Sequence, residues 1–279
     1  MKIKCWGSRG SIPVSGREYL KYGGDTTCME IQSQNGVTII VDAGSGIRRL
    51  GNQLLESQSQ AYHILFTHAH LDHIIGFPFF KPLHCLKRKI NMYHAPFHER
   101  FVDRMFSDIM TPPYFPIPCS GSKANLVFIE PGPAPFDIDS VHIEPIPLSH
   151  PNGGSGYKFT EDGKTFVFLT DNELGYIHPG GKSSDAYRIF CEGADLLIHD
   201  AEYTPAEYGS FGGWGHSTYM DALQLAMDAD VSRVGFFHTN QERTDREVDD
   251  MVGQARQWIS AQNRSIKCLA VAADMEFEL

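Results

Sequence analysis

The sequence lacks any long apolar segment. No run in its 279 residues approaches the roughly 18 apolar residues of a transmembrane helix. The first six residues also lack the charged and apolar regions of a signal peptide. We therefore expect a cytoplasmic protein without a membrane partner. Linkers, repeats and low-complexity tracts are missing as well, and the hydrophobic content is 42%. Residues 1–279 are expected to form one domain with a substantial core.

Cysteine is present but unpaired in sequence. None of the six cysteines belongs to a Cys-x-x-Cys pair, which argues against a structural zinc knuckle and agrees with reduced thiols. We expect all six to be packing residues: Cys5, Cys28, Cys85, Cys119, Cys191 and Cys268.

Positive charge is scarce. The formal net charge is −10, from 24 Lys and Arg against 34 Asp and Glu, and such a chain repels long polyanions. One basic cluster exists, at Lys81, Lys87, Arg88 and Lys89, but short runs of this kind usually form solvated faces. A small anionic substrate is therefore expected, and a long nucleic acid is not.

What the chain does have is a dense group of metal-ligating side chains. Residues 67–73 read Thr-His-Ala-His-Leu-Asp-His directly after the apolar residues 64–66. Because a strand places alternate side chains on one face, His68 and His70 can converge on one ion as the chain leaves the sheet. Asp72 and His73 then turn into the following segment and are available to a second ion. Imidazole and carboxylate ligands suit Zn²⁺, Mn²⁺ or Fe. The alternative, a histidine-rich surface loop, would not require matching ligands further along the chain.

Residues 68–73 resemble the His-x-His-x-Asp-His motif of the metallo-β-lactamase superfamily, whose later ligands follow strands one at a time. The matching candidates are His150 after residues 141–148, Asp171 after residues 166–170, and His238 after residues 234–237. The resemblance implies an α/β fold, specifically the αβ/βα four-layer sandwich, with two divalent metal ions at the shared edge of its sheets. Zn²⁺ is the expected metal, with Mn²⁺ or Fe as alternatives. A homodimer is implied by the resemblance alone.

A second pair of segments narrows the class of reaction that the sequence predicts. Residues 215–218, Gly-His-Ser-Thr, and residues 194–202 resemble segments of ribonuclease Z and its relatives, where an acidic residue orients the histidine. The resemblance implies that His216, oriented by Asp200, protonates the leaving alkoxide, and that Asp72 completes the catalytic set. An alignment that makes Asp200 a metal ligand stays open, with Asp171 preferred as the bridge. His216 could also be incidental, beside an N-cap at Ser217 or Thr218.

The number of residues between two candidate ligands indicates the size of the expected substrate. Ribonuclease Z carries a long arm for tRNA between its third and fourth metal motifs, whereas His150 and Asp171 are 21 positions apart (171 − 150). That separation accommodates a turn and a hairpin. It favours the small phosphodiesterases of the same branch, with a cyclic nucleotide as the expected substrate and a metal-bound hydroxide as the nucleophile. An RNA-processing nuclease and a thioester or lactam hydrolase are the alternatives.

Further side chains are weaker candidates for substrate contacts. Glycine-rich loops at residues 7–11 and 23–27 resemble loops of the phosphodiesterase branch and make Arg9 a candidate phosphate contact, although tight turns also need glycine. Tyr157 is a candidate pocket residue. Four aromatic residues would either wall a base-binding pocket or pack a loop: Phe79, Phe80, Tyr114 and Phe115.

Periodicity predicts individual elements. Strands are expected at residues 3–5, 28–31 and 37–41, and a helix is expected to end near Leu55. Helical spacing predicts a helix over residues 219–229. Thr244 and Glu247 form a predicted capping box at the start of a further helix.

Overall fold

The structure is a computed structural model that describes residues 1–57, 59–94, 97 and 102–279, with Val102 and Asp103 described for their backbone alone. The strands are β1 Lys2–Gly7, β2 Cys28–Gln32, β3 Thr38–Val41, β4 Ala61–Leu65, β5 Lys89–Tyr93, β6 Asn125–Ile129, β7 Phe136–Ile138, β8 Val141–Pro147, β9 Ser155–Glu161, β10 Lys164–Leu169, β11 Leu196–Asp200, β12 Arg233–Phe237, β13 Lys267–Ala270 and β14 Glu276–Glu278. The α-helices are α1 Ile47–Glu56, α2 Leu71–Ile74, α3 Val102–Ile109, α4 Ser184–Cys191, α5 Pro205–Phe211, α6 Tyr219–Asp228 and α7 Asp245–Ala261. Short 3₁₀ turns lie at Arg17–Tyr19, Phe77–Phe79, Lys81–His84 and Cys119–Gly121.

Among the described residues the strands form two sheets of seven. Their orders are β14-β1-β2-β3-β4-β5-β6 and β13-β12-β11-β10-β9-β8-β7. Strands β3 to β6 run parallel in the first sheet, and β10 to β13 run parallel in the second. The carboxyl ends of parallel strands meet at one edge of a sheet, which is where open α/β sheets bind ligands. The loops that leave β3, β4, β10, β11 and β12 therefore share the functional edge of their sheets.

Three apolar clusters separate four layers. One lies between the two sheets and includes Ile31, Phe159 and Phe168. A second packs Ile47 and Leu50 of α1 on the outer face of the first sheet, and the third packs α6 and α7 on the second sheet. The order helix, sheet, sheet, helix confirms the predicted αβ/βα sandwich, since each sheet buries both of its faces.

Helix starts follow the capping chemistry of the sequence. The Thr244 side chain accepts a hydrogen bond from the Glu247 backbone N–H, and the Glu247 carboxylate accepts one from the Thr244 backbone N–H, so the predicted capping box is confirmed. The predicted helix at residues 219–229 is also confirmed, as α6 over Tyr219–Asp228. The predicted early strands and the helix ending near Leu55 are present as β1, β2, β3 and α1, with ends that differ by one or two residues.

Burial separates correct packing predictions from wrong ones. Five of the cysteines are buried, but Cys85 is partly exposed and is not a core residue. Phe80 is wholly buried and packs edge-on against Tyr62, so it belongs to the core and not to a pocket wall. In the described part of the chain, no helix is both long and apolar enough to span a membrane.

Candidate metal centre

The predicted ligands come from loops at the functional edge. His68 and His70 lie in the loop after β4, and Asp72 and His73 lie in α2, which begins directly after His70. Asp171 follows β10 and His238 follows β12, each with a positive φ, 51° and 56°, that turns the chain away from the sheet. His150 follows β8. The structure thus gathers all seven predicted metal ligands in one place.

The ligand atoms form two sets with a carboxylate between them. His68, His70, His150 and Asp171 place one ligand atom each within 4.8 Å of one another, and Asp72, His73 and His238 do the same. Asp171 Oδ2 lies 3.5 Å from His68 Nε2 and 3.4 Å from His238 Nε2. Its Oδ1 lies 3.2 Å from His73 Nε2. This position suits the bridging role expected of Asp171.

Most of the histidines are oriented through Nδ1, which leaves Nε2 to face the centre. His73 Nδ1 donates to Asp42 Oδ2 at 2.8 Å, and His238 Nδ1 donates to Glu202 Oε2 at 3.0 Å. His150 Nδ1 donates to the Gly215 carbonyl at 3.0 Å. Histidine ligands of metals are held in this way by a carboxylate or carbonyl behind them.

The donor atoms fit divalent ions. His68 Nε2 and His73 Nε2 are buried nitrogens without a hydrogen-bond partner among the described residues, a costly arrangement that a metal ion would relieve. Five imidazoles and two carboxylates match the preferences of Zn²⁺ and its neighbours. The His/Asp cluster in this fold is accordingly a site for divalent metal ions.

The histidines of the first set are in the neutral form that binds metal ions. Burial lowers the pKa of His68 well below its ordinary value and lowers that of His150 to about 3, so both imidazoles are neutral. Burial also opposes positive charge on His73 and His238, but the carboxylates around them, with Asp171 foremost, outweigh it and raise both pKa values. The carboxylates around the second set therefore favour positive charge at this position.

His216 lies beside this centre with its own carboxylate. Its Nδ1 is 2.6 Å from Asp200 Oδ2, and its side chain is 12% exposed. Burial opposes its charge, yet Asp200 and Glu202 together raise its pKa to about 9. Asp200 belongs to neither of the two sets above, and its other oxygen accepts from the backbone N–H of Ser217 at 3.0 Å. This geometry favours Asp200 as the partner of His216 over its alternative role as a metal ligand.

Two details of the His216 segment bear on its alternatives. Thr218 is the N-cap of α6 through a capping box with Asp221, so capping is done by Thr218 and leaves the His216 side chain free for another task. His216 also offers a nitrogen within 4.8 Å of ligand atoms of Asp171 and His238. The imidazole therefore faces the centre.

Several residues of the site were not predicted. Asp42 and Glu202 hold ligand histidines, and Ser11 donates its backbone N–H to Asp72 Oδ2 at 2.9 Å. Gly10 packs so closely that an added Cβ would lie 2.5 Å from His238 Nδ1. Asp42 directly follows an apolar strand, as the predicted ligands do, and that signal was available in the sequence.

Glu173 is the other unpredicted residue of consequence. Its Oε1 accepts from the Tyr208 hydroxyl and the Gly213 N–H, both at 2.6 Å. Its Oε2 accepts from the Gly215 N–H at 2.7 Å and lies 2.8 Å from His178 Nε2. These contacts fix the loop that carries His216.

Two predicted substrate contacts are wrong. Arg9 is fully buried, and its guanidinium donates to the carbonyls of Gly23, Asn240 and Arg243, because the glycine-rich loops enclose it. Tyr157 is also buried and donates its hydroxyl to the Phe66 carbonyl at 2.7 Å. Both residues stabilise the loops around the centre from within.

Of the remaining aromatic candidates, Phe115 is partly buried and packs against the core cluster on the outer face of the first sheet. Phe79 and Tyr114 are exposed, and the rings of Phe79 and Phe115 meet edge to face with centroids 5.7 Å apart. In the basic cluster of residues 81–89, Arg88 has a structural role: it donates to the Ser59 carbonyl and lies over the Tyr62 ring.

Comparison with known proteins agrees with the fold. The family model described as "Beta-lactamase superfamily domain" matches residues 37–239. A ribonuclease Z of Bradyrhizobium sp. (strain ORS 278) is 26% identical over 263 residues, covering 76% of this chain and 83% of the relative. The metallo-beta-lactamase fold protein YhfI from Bacillus subtilis has a TM-score of 0.71 at 17% identity, covering 100% of this chain and 99% of that one. The short form of human tRNase Z has a TM-score of 0.63 at 19% identity, covering 100% and 99%.

The match over most of the chain settles its family. The chain belongs to the beta-lactamase superfamily. With its cluster of metal-ligating side chains, it is a metal-dependent hydrolase of that superfamily.

Proposed function

We propose that this protein is a phosphodiesterase that hydrolyses a small phosphodiester, with a cyclic nucleotide as the first substrate class to test. The observation that carries the proposal is the contact between His216 Nδ1 and Asp200 Oδ2 at 2.6 Å, beside two sets of metal-ligating atoms. Hydrolysis of a phosphodiester expels an alkoxide, which needs a proton. A histidine with a pKa of about 9 holds that proton at neutral pH.

The residues divide the work in this proposal. His68, His70 and His150 would hold one ion, Asp72, His73 and His238 would hold the other, and Asp171 lies where it could serve both. When bound, two divalent ions, for which we propose Zn²⁺ with Mn²⁺ or Fe as alternatives, would neutralise charge on the phosphoryl oxygens and acidify water at the site.

The proton is delivered by His216. Asp200 holds Nδ1, which leaves Nε2 for the leaving oxygen of the substrate. Because the Asp200 carboxylate also accepts from the Ser217 N–H, its position is fixed by the backbone that carries His216. The imidazole is thereby held in one orientation before the substrate arrives.

The loop between two of the ligands supports a small substrate. The 21 positions from His150 to Asp171 are occupied by the hairpin of β9 and β10, which pairs in register from Lys164 with Glu161 to Phe168 with Tyr157. A long arm for RNA is not inserted at this point among the described residues. The net charge of −10 also disfavours long polyanions.

The test compares metal-loaded wild type with His216→Ala and His216→Asn variants. Substrates are bis(p-nitrophenyl) phosphate, a panel of cyclic nucleotides, a precursor tRNA and a thioester. We expect turnover of the diesters. For the cyclic nucleotides, whose leaving group is an alkoxide, we expect both variants to have a kcat lower by about 100- to 10,000-fold with metal content unchanged. Turnover of the thioester alone, or a variant with full metal content that hydrolyses cyclic nucleotides as fast as wild type, would overturn the proposal.

A second candidate is an RNA-processing nuclease. It is favoured by the likeness to ribonuclease Z over 76% of the chain. Cleavage of the precursor tRNA with a kcat/KM above that of every small diester would support this candidate over the first.

A further inference from the structure

A cavity of about 350 Å³ opens beside His216. It lies where a group attached to the leaving oxygen would extend, because His216 is both the proposed proton donor and part of the cavity lining. The rest of its lining comes from α5 and its following loop, from Ser11, from Glu202 and Tyr203, and from the loop after His238. These residues are separate from the two ligand sets.

One wall of the cavity is aromatic. The rings of Tyr203 and Phe211 are stacked, with centroids 5.1 Å apart and planes 8° apart. Phe211 meets Trp214 edge to face at 5.6 Å, and Tyr203 meets His216 at 6.0 Å. The wall therefore runs without interruption from the proton donor to Trp214.

Trp214 combines exposure with a fixed backbone. Its side chain is 64% exposed, so burial of this large apolar ring contributes little to the stability of the fold. The residues on either side, Gly213 and Gly215, both donate their N–H groups to the Glu173 carboxylate, at 2.6 and 2.7 Å. A planar ring held in place and facing solvent is a surface on which a flat ligand can stack at little entropic cost.

Apart from His216, the charged side chains of the lining are all carboxylates. Glu202, Glu207 and Glu242 line the cavity, and none of its described lining residues is a lysine or arginine. Glu207 is paired from behind by Arg243 at 2.7 Å, and Glu202 accepts from Asn240 and His238. Glu242 is exposed and has no ion pair among the described residues. A second phosphate near Glu242 would therefore meet negative charge that no ion pair offsets.

We propose that this cavity binds the group attached to the leaving oxygen and selects a planar aromatic group that carries no phosphate of its own, such as a nucleoside. The inference rests on the proposed function, since it assigns the leaving side of a phosphodiester. It adds that the specificity of the enzyme comes from stacking on Trp214 and from repulsion by Glu242. Cyclic nucleotides and dinucleoside monophosphates satisfy both conditions, whereas a continuing RNA strand does not.

Binding is tested first, without catalysis. Adenosine, which carries no phosphodiester to hydrolyse, is titrated into metal-loaded protein while tryptophan fluorescence is followed. Trp6 is buried and Trp258 is partly buried, so we expect the change to come from Trp214 and to disappear in Trp214→Phe. An unchanged signal on adding adenosine, or the same signal in Trp214→Phe, would overturn the stacking site.

Selection is tested with metal-loaded enzyme and two substrates, ApA and the same compound with a phosphate on the ribose of its leaving adenosine. We expect Trp214→Ala to raise KM for ApA about tenfold or more with little change in kcat, and Trp214→Phe to restore most of the loss. The added phosphate should lower kcat/KM about tenfold or more in wild type and less in Glu242→Lys. Glu192→Lys, the same charge change at an exposed site outside the cavity, should behave as wild type.

The outcomes separate the inference from the proposed function. If bis(p-nitrophenyl) phosphate is hydrolysed but Trp214→Ala leaves KM for ApA unchanged, the cavity assignment is wrong and the phosphodiesterase stands. If no diester is hydrolysed while adenosine still changes the fluorescence of Trp214, the aromatic site stands and the reaction is wrong.

Discussion

Asp42 Oδ2 accepts a hydrogen bond from His73 Nδ1 at 2.8 Å, although the two residues are 31 positions apart. The same carboxylate accepts the backbone N–H and the hydroxyl of Thr67, both at 2.7 Å. Asp42 is fully buried and holds a φ of 63° at the end of β3. Through Asp42 the first sheet fixes the orientation of His73, a candidate ligand in α2.

The first prediction concerns this contact. In Asp42→Asn the amide group must turn a donor toward Thr67 or His73, which already donate. Removing an orienting partner of this kind typically costs 10- to 100-fold in metal affinity, so we expect the affinity for the ion that His73 would hold to fall about 10- to 100-fold. Competition with a metallochromic chelator measures the affinity. Asp137→Asn is the matched control, because Asp137 contacts His142 at 2.7 Å on the exposed surface. Wild-type affinity in Asp42→Asn would contradict the orienting role.

The second prediction distinguishes the bridging carboxylate from its alternative. Because Asp171 contacts both ligand sets, Asp171→Ala should lose both ions, whereas His150→Ala should weaken one. Asp200→Asn should keep both, since Asp200 is engaged by His216 and the Ser217 N–H. Metal content per chain after dialysis gives the answer. Loss of an ion in Asp200→Asn would restore Asp200 as a ligand.

The candidate ligands were accessible from the sequence because each is a chemically distinctive residue in a segment that follows a strand. The motif at residues 68–73 supplied the family, and the family supplied the order of His150, Asp171 and His238. The αβ/βα arrangement also came from that resemblance, since periodicity predicts elements and not how two sheets stack. Helix α7 was predictable from local chemistry alone, through Thr244 and Glu247.

The errors and omissions have a common physical origin. Glu173 is one acidic residue among many, and its role arises because Gly213, Gly215 and Tyr208 converge on it in three dimensions. The prediction for Arg9 was wrong because an arginine among glycines is expected to be exposed. In the structure its carbonyl partners, which lie as far as 234 residues away along the chain, enclose it. Contacts across that separation leave no periodic trace in a single sequence.

The third prediction concerns Glu173. Burial opposes the charge of this carboxylate, but hydrogen bonds from Tyr208, Gly213, His178 and Gly215 outweigh it and lower its pKa. In Glu173→Gln one amide N–H₂ replaces an acceptor and faces donors. Leaving such groups unsatisfied costs about 1–3 kcal/mol in the free energy of unfolding. Because Gly215 precedes His216, kcat for diester hydrolysis should fall as well.

The control for Glu173 makes the same chemical change elsewhere. Asp195 also accepts a backbone N–H, from Thr165 at 2.9 Å, and pairs with Lys164. Asp195→Asn should alter the free energy of unfolding in urea denaturation while leaving kcat unchanged. A Glu173→Gln variant that loses stability but keeps wild-type kcat would show that the loop does not position His216.

The last prediction concerns pH and a buried carboxylate away from the metal centre. Glu30 is 7% exposed, and Trp6 Nε1 donates to its Oε2 at 2.9 Å. Burial raises the pKa of Glu30 above its ordinary value, although Trp6, Lys4 and Lys2 act in the opposite direction. The folded state therefore holds the Glu30 proton more tightly than the unfolded chain does. Its contribution to stability is greatest below the unfolded pKa and falls as pH rises through the folded one.

In Glu30→Gln this pH dependence is absent because the amide does not titrate. The amide oxygen can still accept the hydrogen bond from Trp6. Urea denaturation of wild type and variant from neutral to mildly acidic pH should show the variant's advantage at neutral pH shrinking on acidification. A difference in unfolding free energy that stays constant with pH would mean that Glu30 titrates alike in both states.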